Sequence, residues 1–264
     1  MHKQFLAGLL ALAAMPAAAA QPVTTIHIAG DSTAQTNQAP RYPQTGWGQM
    51  LRCGLSAQVA VRNHAIGGRS TRTFIGEGRL DKIKAEIKRG DVLLIQFGHN
   101  DANTVKIERY ADPAGAYRTN LSKMLAVAKS AGAQPVLITP VSRRNFENGQ
   151  VKADFAAWSH QVRMLARELG VPLIDLEKES ATWLERTGEE ASKRYFLHFT
   201  PEDKVGAYPE GIKDDTHFSE LGARGVAEIV ARELKALNLP VSRHILRSRP
   251  ALTRADPLGS TDCG

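Results

Sequence analysis

The chain has 264 residues, 42% apolar and 23% charged, with a formal net charge of +7 at pH 7. That balance excludes a disordered polyelectrolyte and a multi-span membrane protein, and it suits one α/β domain with a full core. Much of the basic excess lies late in the chain, in Arg243, Arg247, Arg249 and Arg254, with no aromatic interleaving and no nucleic-acid-binding module.

Residues 1–20 read as an export signal. Lys3 opens a short apolar stretch from Phe5 to Met15, and Pro16 followed by Ala17, Ala18, Ala19 and Ala20 forms a small-residue cleavage site. The apolar run is shorter than the roughly 20 residues a membrane span needs. Cleavage near Ala20 leaves a mature chain of about 244 residues and net charge about +6, expected in the periplasm or the medium with no membrane partner.

Beyond the signal, short apolar runs alternate with helix-length amphipathic stretches. Strands are expected at 23–29, 59–61, 92–97, 135–139 and 172–174, and helices at about 48–54, 79–89, 114–130, 153–169 and 219–237. Several strands are apolar on consecutive residues, as expected when both faces are covered. In the last helix Val226, Ile229, Val230, Leu234 and Leu237 share one face, and Ser219 stands at the capping position. This alternation predicts one domain over 21–240 with a mainly parallel, doubly wound sheet. Residues 241–264, rich in Arg, Pro, Ser and Gly, read as an extended C-terminal appendage. Cys53 and Cys263 are the two cysteines; a bond between them would contribute roughly 4–5 kcal/mol in the chain-entropy model, and two free thiols are equally compatible with the sequence.

Four segments at element ends carry candidate chemistry. Gly30-Asp31-Ser32 follows the first strand and puts a hydroxyl at the carboxyl edge of the sheet, where open α/β sheets bind ligands. Gly67-Gly68 follows the second strand and allows close backbone approach. Gly98-His99-Asn100-Asp101 breaks the third strand, and the Asn100 amide can donate to a developing oxyanion. Lys213-Asp214-Asp215-Thr216-His217 forms a turn before the last helix, in which a carboxylate three residues back can fix the imidazole tautomer. Each segment alone is also an ordinary turn or cap.

Taken in order, these segments resemble the four blocks of the SGNH (GDSL-type) hydrolases, from about residue 24 to residue 235. Ala29-Gly30-Asp31-Ser32-Thr33, Gly46-Trp47-Gly48, Gly68-Arg69-Ser70 with Glu77-Gly78-Arg79, and Phe97-Gly98-His99-Asn100-Asp101 further resemble the rhamnogalacturonan acetylesterases within that superfamily. The resemblance implies a flavodoxin-like, three-layer α/β/α sandwich with a five-stranded sheet. It implies Ser32 as nucleophile, His217 as general base and then acid, and Asp214 as the orienting carboxylate, with Asp215 its nearest competitor. The oxyanion hole would be the N–H groups of Ser32 and Gly68 and the Asn100 amide, with no metal and no organic cofactor. The substrate would be an acetylated acidic polysaccharide, probed by Arg69, Arg72 and Arg79 unless these arginines form structural ion pairs. A lipid, aryl-ester or thioester hydrolase of the same superfamily, or a non-catalytic carbohydrate-binding protein, is the alternative.

Overall fold

A computed structural model describes residues 24–264; the expected export signal lies outside them. In chain order the strands are β1 (Thr24–Gly30), β2 (Val59–Asn63), β3 (Val92–Gln96), β4 (Gln134–Ile138), β5 (Phe146–Glu147), β6 (Gln150–Val151), β7 (Leu173–Ile174), β8 (Phe196–Phe199) and β9 (Ile212–Phe218). The helices are α1 (Trp47–Met50), α2 (Thr71–Gly76), α3 (Arg79–Glu86), α4 (Arg118–Ser130), α5 (Ala156–Leu169), α6 (Leu176–Thr187) and α7 (Glu220–Ala236). Five strands pair in parallel in the order β2-β1-β3-β4-β7, the flavodoxin-like order that the family resemblance implies.

The consecutive apolar residues of β3 explain the layering. Val92 and Leu94 point into a core shared with α1, α6 and α7, while Leu93 and Ile95 point into a second core shared with α2, α3, α4 and α5. Strand side chains alternate between faces, so a strand covered on both sides must be apolar throughout. Burying a Leu or Ile side chain of this kind stabilises the fold by roughly 1.5–3 kcal/mol.

Three expectations are corrected. The Asp214–His217 segment lies within β9, which pairs antiparallel with β8, rather than in a free turn before α7. The turn is still there, as a bulge: Leu197 pairs with Asp214 and Phe196 with Phe218, so residues 215–217 have no partner residues on β8. Two helices, α2 and α6, were absent from the expected set. Residues 241–264 are not a free appendage: Val241, Ile245 and Leu252 are buried against α7 and the turn after α1, and Cys53 is bonded to Cys263.

Candidate active site

The carboxyl ends of β1 and β3 and the bulge of β9 meet at one edge of the sheet. At the end of β1 the backbone turns sharply at Asp31, whose Oδ1 accepts from the Thr33 N–H at 2.9 Å and from Thr33 Oγ1 at 2.8 Å. That local bridge holds the turn on which Ser32 sits. Burial opposes ionisation of Asp31, but His99, with Nδ1 3.6 Å from Oδ2, and the two Thr33 donors outweigh it and hold the carboxyl below its usual range. The turn rests on a further buried bridge. Gln96 Oε1, at the end of β3, accepts from Thr33 Oγ1 at 3.1 Å and from Trp47 Nε1 at 2.7 Å.

Ser32 Oγ lies 2.9 Å from His217 Nε2, and His217 Nδ1 lies 2.7 Å from Asp214 Oδ2. The other Asp214 oxygen accepts from the backbone N–H groups of Thr216 at 2.7 Å and His217 at 2.9 Å, which is why the bulge keeps its shape. Half-burial works against the Asp214 charge, yet these hydrogen bonds win and lower its pKa to about 2. A fixed carboxylate then sets the tautomer of His217 and leaves Nε2 free to accept the serine proton. Asp215 serves elsewhere, accepting from Arg144 Nη1 at 2.8 Å and lying 2.7 Å from His198 Nε2. The bulge, which folds Asp214 back over Thr216 and His217, thus separates the roles of the neighbouring aspartates.

Ser32, Gly68, Arg69, Asp214 and His217 line one cleft of about 550 Å³. Gly68 has φ +78°, a left-handed conformation that favours glycine. Asn100 adjoins this wall, its Nδ2 donating to Arg69 O at 3.1 Å. Of the three arginines expected to meet substrate, only Arg69 borders the cleft, and it is tied to Glu77 through Nε at 3.0 Å and to Gly67 O through Nη1 at 2.8 Å. Arg79 is paired with the same Glu77 and lines a neighbouring pocket, while Arg72 is exposed on α2 away from the cleft. Arg41, Gln44 and Tyr208, which no sequence motif marks, also border the cleft with Ser32. Arg41 is exposed and has no ion pair among the described residues. Nothing at the sequence level connects residues 41 and 208 to Ser32; they meet only through tertiary packing.

Away from the cleft, ligand-type atoms of His27, His64 and Glu86 lie within 4.8 Å of one another. They form a hydrogen-bonded chain rather than an open metal site. His27 Nδ1 meets His64 Nε2 at 3.1 Å, His27 Nε2 faces Asp91 at 3.4 Å, and Arg62 holds Glu86 at 2.8 Å.

Residues 26–230 match the family model of GDSL-like lipases and acylhydrolases. The chain is 42% identical over 222 residues to a rhamnogalacturonan acetylesterase of Bacillus subtilis, covering 84% of this chain and 94% of the relative. It is also 42% identical over 224 residues to a probable rhamnogalacturonan acetylesterase of the same organism, covering 85% and 98%. Among solved structures, the YxiM protein of Bacillus subtilis superposes with a TM-score of 0.70 at 27% identity, over 82% of this chain and 57% of that one. An acetylxylan esterase from Geobacillus stearothermophilus shares the fold, with a TM-score of 0.58 at 17% identity over 82% of this chain and 96% of that one. The chain therefore belongs to the GDSL-like lipase/acylhydrolase family, and it is a carboxylic ester hydrolase.

Proposed function

We propose that this protein is an exported serine esterase that removes O-acetyl groups from a pectic polysaccharide of the rhamnogalacturonan type. The observation that carries the chemistry is the continuous hydrogen-bonded chain Ser32–His217–Asp214 opening into the cleft. The high identity to rhamnogalacturonan acetylesterases supports the substrate class.

Ser32 Oγ attacks the acetyl carbonyl carbon while His217 Nε2 takes its proton. The resulting oxyanion is held by the N–H groups of Ser32 and Gly68 and by the Asn100 amide. Collapse of the tetrahedral species breaks the bond to the sugar oxygen, which leaves with the proton from His217. Water then attacks the acetyl-serine, again giving its proton to His217, and acetate departs as Ser32 recovers its hydrogen. Among the described residues that line the cleft, Arg41 is the cation not already paired with a carboxylate, so it, rather than Arg69 or Arg79, is placed to receive a galacturonate carboxylate. Tyr208, whose ring runs parallel to Phe199 at 8°, offers a flat wall for a sugar face.

Acetate release from acetylated rhamnogalacturonan, acetylated xylan and aryl acetates tests this. Ser32→Ala is expected to lower kcat by at least about 10³-fold on every substrate. A variant as fast as the wild type would remove Ser32 as nucleophile. Equal kcat/KM on both polymers would leave the esterase but remove the pectic preference.

A further inference from the structure

We infer that Arg109 is a positioning residue for the oxyanion hole, locking the side-chain amide of Asn100 in the one orientation that presents N–H to the cleft; the inference rests on the role given to Asn100 above. An asparagine amide is nearly symmetric in shape, but its two ends are opposite in polarity. With Nδ2 toward the cleft it attracts a developing oxyanion. Flipped, it turns a carbonyl oxygen toward that charge and repels it. Any device that fixes the flip therefore acts on the transition state.

The two ends of the Asn100 amide meet partners of fixed and opposite character. Nδ2 donates to Arg69 O at 3.1 Å, an atom that only accepts. Oδ1 accepts from Arg109 Nη1 at 3.4 Å, a group that only donates. A flip would set oxygen against carbonyl oxygen and NH₂ against guanidinium, so both ends enforce the same orientation. Arg69 O uses one Nδ2 hydrogen and leaves the second for an oxyanion.

Arg109 also packs on the other expected contributor. A Cβ built on Gly68 would stand 3.4 Å from Cζ, Nη1 and Nη2 of Arg109 alike, so the guanidinium lies flat against that residue. One cation thus backs both the Asn100 amide and the Gly68 backbone. Its charge is weakly neutralised, since the carboxylate beside it, Glu108, is 3.7 Å away and 65% exposed. The loop that carries Arg109 is held by its own hydrogen bonds. Asn103 Oδ1 accepts from the N–H groups of Val105 and Lys106, Arg109 N–H donates to Lys106 O at 2.8 Å, and Ala111 N–H closes the loop onto Asp101 O at 3.1 Å. A positive potential behind the hole favours charge that exists only in the transition state, so its loss belongs in kcat rather than KM.

A kinetic double-mutant cycle of Arg109→Ala and Asn100→Ala on p-nitrophenyl acetate and acetylated rhamnogalacturonan, with Arg109→Lys and thermal melts alongside, tests this. Arg109→Ala is expected to lower kcat about tenfold with KM within about twofold, and Arg109→Lys to recover part of the loss. In the Asn100→Ala background, removing Arg109 should lower kcat by clearly less than the tenfold seen in the wild type, because the part of its effect that acts through that amide is already gone. Additive losses would overturn the proposal, as would a raised KM at unchanged kcat, which marks a substrate contact. If Arg109→Ala fails to fold, Arg109→Lys and Arg109→Gln carry the test: lysine faster than glutamine supports the lock, and equal rates sink it. Wild-type kcat in Arg109→Ala beside a crippled Asn100→Ala removes Arg109 alone, whereas wild-type kcat in Asn100→Ala removes the oxyanion-hole role and this inference with it.

Discussion

At Asp214 half-burial and hydrogen bonding pull in opposite directions, and the donors from His217 and Thr216 prevail, with a pKa near 2. Because the folded value lies below the unfolded one, near 4, the carboxylate adds stability that is complete above about pH 4 and is lost as pH falls through 2. That contribution is on the order of 2 kcal/mol. Asp214→Asn is expected to lower kcat by about 10³–10⁴-fold by releasing the His217 tautomer. Its urea midpoint should fall below the wild type at pH 5, with the gap narrowing by pH 2.5; a gap constant with pH would contradict the lowered pKa of the carboxylate. Asp101 behaves in the reverse sense. Burial raises its pKa to about 7, despite donors from Thr71 N at 2.9 Å and Thr71 Oγ1 at 2.5 Å, with the nearby Asp31 adding to the rise. Its ionisation therefore costs stability as pH climbs from about 4 through 7. Asp101→Asn keeps the Oδ1 acceptor and removes the titration. Chemical denaturation should show it gaining roughly 2 kcal/mol more over the wild type at pH 8 than at pH 5. An equal difference at both would show that Asp101 does not titrate in that range.

Among the elements, α7 follows His217 almost directly, and its start is doubly anchored. Ser219 Oγ accepts from the Gly222 N–H at 3.3 Å and donates to Arg194 O at 2.7 Å. Ser219→Ala is expected to cost about 1 kcal/mol in urea denaturation. One turn in, a Cβ on Gly222 would stand 1.8 Å from Tyr195 O, so this helix approaches the segment before β8 as only glycine permits. Gly222→Ala should cost at least about 1–3 kcal/mol and lower kcat as well, because the displaced helix carries β9 and His217 with it. Full stability in that variant would contradict the close approach. The helix itself was legible in the sequence, since its apolar face repeats with helical period beside a capping serine. α2 was not, because six residues opened by a reciprocal Ser70–Thr73 cap hold too few apolar positions to show a period. β8 and β9 escaped for a different reason: a bulge interrupts their alternation, so neither reads as a strand.

The whole molecule is closed by its C-terminal segment. Arg224 is buried with Glu220 and donates to the carbonyls of Ala251, Ser260 and Asp262, while Glu220 accepts from the N–H groups of Leu258 and Gly259 and from Tyr42 Oη at 2.5 Å. The disulfide Cys53–Cys263, spanning 210 residues of sequence, restrains the same segment. Cys263→Ser should lower stability by on the order of 5 kcal/mol in the chain-entropy model, read as a fall in Tm relative to the oxidised wild type. Unchanged Tm would mean that the tail is held without the bond. Because Tyr42 adjoins Arg41 at the cleft, release of the tail should also raise KM for the acidic polymer more than for an aryl acetate.

What the sequence determined by itself was local. Apolar runs covered on both faces predict the parallel sheet, glycine-bearing turns after strands mark Ser32, Gly68 and Asn100, and a three-residue spacing marks Asp214 and His217, because each pattern is written in neighbouring residues. Tertiary structure decided where the second carboxylate goes: the bulge of β9 folds Asp214 back onto His217, and Asp215 turns to Arg144 and His198. It also decided that Arg41 borders the cleft while Arg72 and Arg79 do not, and that Arg109 backs Gly68 and Asn100. Such contacts join segments far apart in the chain, and no spacing along one strand or helix encodes them.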